Sequence, residues 1–142
     1  MIDRKTDYAL RAAVYLALHC SRDRTATAEE IAEGSGAPRK YLGRILLSLK
    51  KSALVGSTAG RGGGYWLMRR PELISVEEIV SAVAEEKDQP LREDGESGGV
   101  YRQPRHIVSS RVKNALHEVL SSMSLAELAS ASVRAEENRG QK

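Results

Sequence analysis

Apolar residues recur with a helical period along most of the chain, and three capping boxes mark where helices begin. Each box is a Ser or Thr followed three residues later by Glu, an arrangement typical of the first turn of a helix. The boxes are Thr27 with Glu30, Ser75 with Glu78, and Ser124 with Glu127. Upstream of them, residues 7–19 predict a first helix, whose buried face is expected to carry Leu10, Val14, Ala17 and Leu18.

Two helices that follow are separated by only a short turn. Residues 28–33 predict the first of them, and Gly34 and Gly36 end it. Pro38 suits the first turn of the next helix. The stripe of that helix expected to face the core consists of Leu42, Ile45, Leu46 and Leu49. Two helices joined in this way predict a helix-turn-helix.

After residue 53 the pattern changes to two short strand-like runs, residues 54–58 and 65–68, around a glycine-rich tip. Four of the five residues from Gly60 to Gly64 are glycine. Ordering so many glycines costs chain entropy, so the tip is expected to need positive φ angles or close approach to another backbone. With a further helix over residues 76–85, the pattern predicts a mostly α-helical chain with one β-hairpin, and a winged helix-turn-helix domain over residues 1–85.

The C-terminal part predicts a long helix that needs a partner. Residues 86–105 are polar and rich in Gly, Pro and charge, which predicts a flexible loop. Residues 106–132 predict a dimerisation helix followed by a terminal helix, and residues 133–142 a frayed polar tail. The apolar stripe of the long helix is expected to pack against a second copy of the chain, through Val108, Val112, Leu116, Val119 and Met123.

The composition narrows the classes of function. The 142 residues are 41% hydrophobic and 4% aromatic with no Phe, which predicts one small aliphatic core rather than a deep aromatic pocket. No Ser-His-Asp or paired-carboxylate pattern stands out, so an enzyme is not expected. The single cysteine, Cys20, allows neither an internal disulfide nor a multi-thiolate metal site. No apolar run has secretory or membrane-spanning length, so we expect a cytoplasmic protein without a membrane role.

Charge is distributed unevenly along the chain. Residues 1–70 carry 13 Lys and Arg against 6 Asp and Glu, whereas residues 71–142 carry 9 against 13. No acidic residue occurs between Glu33 and Glu72, although that stretch is rich in Lys and Arg. A solvated basic face would normally include some acidic residues to limit self-repulsion, so the stretch favours a polyanionic partner, double-stranded DNA.

The basic residues in the second helix of the predicted helix-turn-helix fall into two groups, one at each end of that helix. In a helix-turn-helix, the N-terminal end of the second helix reaches base edges in the major groove. Arg39, Lys40 and Arg44 occupy that end, where each side chain either bonds guanine O6 and N7 or neutralises a phosphate. Lys50 and Lys51 occupy the far end and are better placed to meet phosphates.

Two further positions have open alternatives. Arg61, among the glycines of the wing tip, is expected to enter a narrow minor groove, the alternative being a solvated loop arginine. Gly43 lies on the same surface as the basic residues. It either allows the helix backbone to approach DNA closely or simply weakens the helix.

Six segments carry a family resemblance that extends from about residue 3 to residue 130: DYALRA at 7–12, IAE at 31–33, YL at 41–42, LKKSALV at 49–55, RGGGYWL at 61–67 and ISVEEI at 74–79. The sequence resembles the Rrf2 family of bacterial regulators, to which the iron-sulfur cluster regulator belongs. The resemblance implies a dimer whose long C-terminal helices cross, each winged domain binding half of an imperfect palindrome. The candidate DNA-binding residues are then Arg39, Lys40, Tyr41, Arg44, Lys50, Lys51, Arg61, Gly62 and Gly63.

The resemblance also raises the question of a cluster, because many members carry three cysteines in the loop before the long helix. Residues 86–105 contain none here. His106 falls where the cluster regulator has its non-cysteine ligand, but one histidine cannot hold a cluster. Ligation without thiolates would have to recruit loop carboxylates, of which Glu93, Asp94 and Glu96 are examples. We therefore expect no cofactor and no iron-sulfur cluster, with the effector, a small molecule or a protein, left open.

An alternative function keeps the same fold. The long helix would dock another protein, such as a metabolic enzyme, and the chain would act as an interaction module. The acid-free basic stretch between Glu33 and Glu72 favours DNA over this alternative.

Overall fold

Helices make up most of the chain, with one β-hairpin between the third and fourth of them. The computed structural model describes residues 2–84 and 99–141. Its helices and strands are α1 (Arg4–His19), α2 (Ala28–Ser35), α3 (Arg39–Lys51), β1 (Val55–Thr58), β2 (Gly64–Leu67), α4 (Val76–Val83), α5 (Gln103–Ser121) and α6 (Leu125–Gly140). Short 3-10 helices precede α4 at Pro71–Leu73 and α5 at Gly99–Arg102. The predicted fold class, mostly α with a winged helix-turn-helix, is confirmed.

All three capping boxes begin helices, as predicted. The Ser75 side chain accepts from the backbone N–H of Glu78, and the Glu78 carboxylate accepts in return from the backbone N–H of Ser75. Thr27 and Ser124 likewise accept from the backbone N–H three residues later, at 3.1 Å each. Such caps pair N–H groups that the helix itself leaves unbonded, so these helix starts were readable from local sequence.

Helix α1 buries a different face from the one that we expected. Its buried residues are Ala9, Ala12, Ala13 and Leu16. The expected face is largely peripheral: Leu10, Val14 and Ala17 are only partly buried, and Leu18 is 46% exposed. That expectation was wrong because α1 lies in the centre of the fold, against α2, α3, α4 and α6. Alanines let several helix backbones approach it closely, which larger side chains would prevent.

The helix-turn-helix forms as predicted, but α2 continues through Gly34 to Ser35, and Pro38 precedes α3 rather than lying in its first turn. Gly36 ends α2 in the left-handed conformation, with φ at 76°, and its N–H bonds the Ala32 carbonyl oxygen. Ala37 is buried in the turn, and Pro38 precedes α3 in an extended conformation. Helix α3 buries the expected stripe of Leu42, Ile45, Leu46 and Leu49. The turn therefore fixes which side of α3 remains outside.

The hairpin is tied to the helices through a third segment. Strands β1 and β2 pair antiparallel, with Val55 opposite Leu67. Ala26, just before α2, exchanges two backbone hydrogen bonds with Tyr65, at 3.1 and 2.7 Å. A Cβ on Gly64 would lie 2.5 Å from the Ala26 carbonyl oxygen, so the close backbone approach predicted for a wing glycine occurs within the chain itself.

The C-terminal helices are joined to the winged domain at the start of α6. Ser75 and Ser124 form a β-bridge, in which the Leu125 N–H bonds the Ile74 carbonyl oxygen at 2.7 Å. Leu125 is fully buried, and Ala129 is 4% exposed. Helix α6 packs against α1. The terminal helix thus belongs to the core, which the sequence did not reveal.

Helix α1 begins at Arg4 rather than at residue 7, and two predicted boundaries in the C-terminal part also differ in the structure. Helix α5 begins at Gln103 rather than at 106, because Pro104 is tolerated in a first helical turn. Residues 133–140, expected to be a frayed tail, continue α6. Its first turns are already held by the core, and the alanines, arginines and glutamates that follow favour helix propagation. The first part of the expected loop, residues 86–98, lies outside the described residues.

Helix α5 is the least buried of the helices. None of its 19 residues is buried, and its main contacts among the described residues are with α4 and the preceding 3-10 helix. One of these contacts joins the His117 imidazole to the Glu77 carboxylate at 3.4 Å. Within residues 2–84 and 99–141, no helix is both long and apolar enough to cross a bilayer.

Candidate DNA-binding surface

The exposed side of α3, which we call the outer face, is basic along its whole length. It consists of Arg39, Lys40, Gly43, Arg44, Leu47, Lys50 and Lys51, all exposed to solvent. Helix α3 contains no acidic residue. The buried stripe on the opposite side holds the helix against the core, so the cations of the outer face are presented together.

Arg39 begins the outer face, and it is already engaged in an ion pair. Its Nε donates to Oε1 of Glu29 on α2 at 3.0 Å, and both side chains are more than half exposed. A hydrogen bond from its own backbone N–H, together with the Arg39 guanidinium, holds the pKa of Glu29 below its usual value. Glu29 is therefore ionised at neutral pH, and Arg39 reaches an anionic partner only by sharing or leaving this carboxylate.

The Lys40 and Tyr41 side chains contact each other at the N-terminal end of α3. The Lys40 Nζ lies 4.9 Å from the centroid of the Tyr41 ring. That ring stacks on Tyr8 of α1, with centroids 5.9 Å apart and planes 18° apart. The stack holds the Tyr41 ring against α1 while the residue stays 46% exposed.

Lys50 links α3 to the hairpin. Its Nζ donates to the Ser57 hydroxyl of β1 at 2.7 Å. This bond places one cation at the junction between the helix and the wing.

Arg44 and Lys51 differ from the other cations of α3. In the part of the chain that the structure describes, neither side chain has a hydrogen-bond, ion-pair or aromatic-ring partner, whereas Lys40 contacts the Tyr41 ring. A cation without an intramolecular partner gives up only water when it meets an anion. These are therefore the two α3 cations most available to a polyanion.

The wing tip presents Arg61 on a tightly specified turn. Gly60 and Gly62 have φ values of 89° and 75°, as expected for the tip, and the Gly63 N–H bonds the Gly60 carbonyl oxygen at 3.0 Å. A Cβ on Gly63 would lie 2.3 Å from the carbonyl oxygen of Thr58, so this glycine serves the turn itself. Around Gly62 there is open space, and Arg61 is exposed.

The donor set does not fit a thiolate-bound cluster. Cys20 is the only cysteine of the chain, and burial raises the pKa of its thiol, which disfavours a thiolate. His106 is exposed near the start of α5. Among the described residues, no three His, Cys, Asp or Glu side chains come together as metal ligands would. Glu93, Asp94 and Glu96 lie outside the described residues.

Comparison with known proteins identifies the family. Residues 2–131 match the Rrf2 family, described as iron-dependent transcriptional regulators. The chain belongs to the Rrf2 family. Both the winged-helix fold and the match over nearly the whole chain agree with the resemblance carried by the sequence segments.

Individual Rrf2 relatives extend this match. An rrf2-like HTH-type transcriptional regulator of Rhodobacter capsulatus is 44% identical over 85 residues, which are 58% of this chain and 57% of that protein. The regulator IscR of Sodalis glossinidius is 35% identical over 128 residues, 89% of this chain and 76% of that protein. The structure of T. potens IscR superposes with a TM-score of 0.73 at 29% identity, covering 95% of this chain and 90% of that one. This Rrf2 protein is thus a DNA-binding transcriptional regulator and not an enzyme.

Three contributors to the surface were missed in the sequence. Tyr8 and Glu29 come from α1 and α2, and no local pattern signals that they meet Tyr41 and Arg39. Leu47 did carry a signal, because helical geometry of 100° per residue places it among the cations and away from the apolar stripe. It is 53% exposed.

Proposed function

We propose that this Rrf2 protein binds specific DNA sites as a homodimer in the cytoplasm, with α3 of each copy in the major groove and each wing beside the backbone. Each half of an imperfect palindrome would then meet one outer face. Within that face, Arg44 is the base-reading candidate, and Lys51 is the phosphate-binding candidate. Arg61 extends the contact to the adjacent minor groove.

The observation that carries this proposal is the availability of the outer face. Residues Arg44 and Lys51 are exposed, cationic and unpaired among the described residues, on a helix with no acidic side chain. A helix-turn-helix presents this side of its second helix to the major groove. A protein-docking module would have no comparable need for an acid-free cationic face.

The homodimer is supported by the exposure of the stripe on α5. Val108, Val112 and Val119 are each more than half exposed, and Leu116 and Met123 are half-buried. So many apolar side chains along one line of a helix are costly in water, and a second copy would cover them. With an outer face on each copy, a two-fold dimer matches a palindromic site.

The proposal includes no iron-sulfur cluster. The half-buried thiol of Cys20 and the exposed imidazole of His106 supply too few ligands for a cluster of the usual kind. The signal that changes DNA affinity would then be a small molecule or another protein. The description of the family as iron-dependent applies to the family as a whole.

The test is selection of binding sites by the wild-type protein from a random pool of duplex DNA, followed by gel-shift titration of the selected site. We expect one enriched, roughly palindromic sequence. Arg44→Ala should lower discrimination against a wrong base by roughly 5- to 150-fold, the equivalent of about 1–3 kcal/mol for a bidentate arginine contact.

A matched control removes the same charge elsewhere. Arg134 is an exposed arginine of α6, away from the outer face, and Arg134→Ala should leave the selected sequence and its affinity unchanged. If no sequence is enriched, or if the two variants behave alike, the proposed DNA-binding surface is wrong. The interaction-module function would then take its place.

A further inference from the structure

One large apolar side chain lies in the middle of the cationic outer face. Leu47 is 53% exposed, whereas the other three leucines of α3 are at most 1% exposed. At 100° per residue, its direction on the helix falls between those of Lys50 and Lys40. No packing role within the described chain accounts for a leucine at the centre of this charged face.

The glycine one turn earlier opens the surface in front of Leu47. A Cβ added at Gly43 would meet only the Arg39 Nη1, at 3.9 Å. Without a side chain at that position, the α3 backbone can approach DNA closely. The neighbouring leucine would then touch that partner rather than be held away from it by a longer side chain.

The position of Leu47 along the helix also suits a groove. It lies eight residues after Arg39, the first residue of α3, a distance of about 12 Å at 1.5 Å per residue. The B-DNA major groove is about 12 Å wide and about 8.5 Å deep, so a helix that lies along the groove can present this position to base edges as well as its N-terminal end. Lys51, one turn further along the helix, would contact a phosphate, which a leucine cannot bind favourably.

Only one apolar group is offered by base edges in the major groove, the methyl group on C5 of a pyrimidine. We propose that Leu47 reads a pyrimidine 5-methyl group, that of one thymine in each half-site, in van der Waals contact made possible by Gly43. The inference rests on the proposed function. The same contact would also accept 5-methylcytosine, which carries the same group at the same position.

The test uses the site selected by the wild-type protein and replaces its thymines one at a time by deoxyuridine, which removes only the methyl group. We expect one thymine per half-site at which the wild type loses about fourfold in affinity, the factor contributed by burying one methyl-sized group. Leu47→Ala should bind the thymine and deoxyuridine sites equally. Leu47→Met, which keeps an apolar side chain of similar reach, should restore the preference for thymine.

A second arm separates the two sources of the methyl group. At the responsive position, 5-methylcytosine is compared with cytosine. If the protein binds the 5-methylcytosine site about as much more tightly than the cytosine site as it binds thymine over deoxyuridine, Leu47 accepts any 5-methylpyrimidine. If methylation of cytosine does not raise the affinity, the contact is specific for thymine. Because Leu47 is exposed, Leu47→Ala should keep the wild-type unfolding transition, which is measured alongside.

The outcomes for this inference and for the proposed function are distinct. If a site is enriched but no thymine shows a loss that Leu47→Ala abolishes, the methyl contact is overturned and DNA binding stands. If no site is enriched at all, the proposed function itself fails.

Discussion

The winged domain and helix α5 use their apolar residues in opposite ways. In residues 2–84, helices α1 to α4 place them in a shared core, where Leu16, Ile31 and Leu42 are completely buried. Helix α5 also has an apolar stripe, but none of its residues is fully buried: Val108, Val112 and Val119 are more than half exposed, and Leu116 is half-buried. The winged domain covers most of its large apolar side chains within the chain, whereas the stripe of α5 is left largely exposed.

The division between these regions does not follow the order of the chain. Helix α6 comes after α5, yet its first half belongs to the core, through the buried Leu125 and Ala129. Its second half, residues 130–140, is exposed throughout. Helix α5 is therefore held at its C-terminal end by a segment anchored in the winged domain. Its stripe is exposed while its C-terminal end is tied to the winged domain.

The largest expected effect tests this anchoring. Leu125→Ala removes a completely buried side chain and should lower the free energy of unfolding by about 2–5 kcal/mol, as large-to-small core substitutions do. Urea denaturation followed by circular dichroism measures it. The matched control is Leu47→Ala, the same substitution at an exposed leucine, for which the change should stay within about 0.5 kcal/mol. If the two substitutions lower the free energy of unfolding equally, the packing of α6 in the core does not stabilise the fold.

The next effect tests the open stripe. Leu116→Asp places a carboxylate in the proposed dimer contact and should raise the dissociation constant of the homodimer at least about 100-fold, or about 2.7 kcal/mol. Sedimentation equilibrium should give twice the chain mass for the wild type and the chain mass for the variant. Asn114→Asp adds the same charge on the opposite side of α5 and should remain dimeric. A wild-type monomer at micromolar concentration would contradict the account.

Local sequence was sufficient for most of the fold. Helix starts follow from Thr27, Ser75 and Ser124, because a cap depends only on residues a few positions apart. The buried face of α1 did not follow, because it depends on four helices packed around three alanines. Helicity beyond residue 132 was also missed, since it depends on the anchoring of the preceding turns by Leu125.

The sequence predicts the positive charge of the candidate surface, but it does not predict which of its side chains form ion pairs. The sequence places Arg39 and Arg44 on the same face of one helix. Only the fold shows that Arg39 is paired with Glu29 while Arg44 has no partner in the described part of the chain. The Tyr8 and Tyr41 rings meet for the same reason, through the packing of α1 on α3.

A smaller effect separates folding from binding at one position of the winged domain. Gly43→Ala should stabilise the fold by up to about 1 kcal/mol, because alanine favours a helix and the added Cβ meets no backbone. The same methyl group should weaken binding to the selected DNA if α3 approaches it closely. Thermal unfolding and gel-shift titration measure the two changes. If Gly43→Ala raises both the thermal stability and the DNA affinity, Gly43 merely weakens the helix.

The smallest expected effect concerns the ion pair beside the outer face. Glu29→Gln removes a carboxylate from the surface facing DNA and releases Arg39, so affinity should rise by roughly threefold at low salt, for specific and non-specific DNA alike. Fluorescence anisotropy with labelled duplexes measures the change. Glu33→Gln removes the same charge from α2 at a residue without an arginine partner in the described chain and should change affinity less. Lower affinity for Glu29→Gln would mean that the pair positions Arg39 for DNA.

The central claim, that the outer face of α3 meets the DNA backbone and bases, is tested most directly by the salt dependence of affinity. A lysine that neutralises a phosphate releases counterions, so removing it should reduce the slope of log affinity against log salt by about one, or by about two in a symmetric dimer. We predict this decrease for Lys51→Ala and an unchanged slope for Lys113→Ala, which removes an exposed lysine of α5. An unchanged slope for Lys51→Ala, or an equal decrease for both variants, would contradict the account.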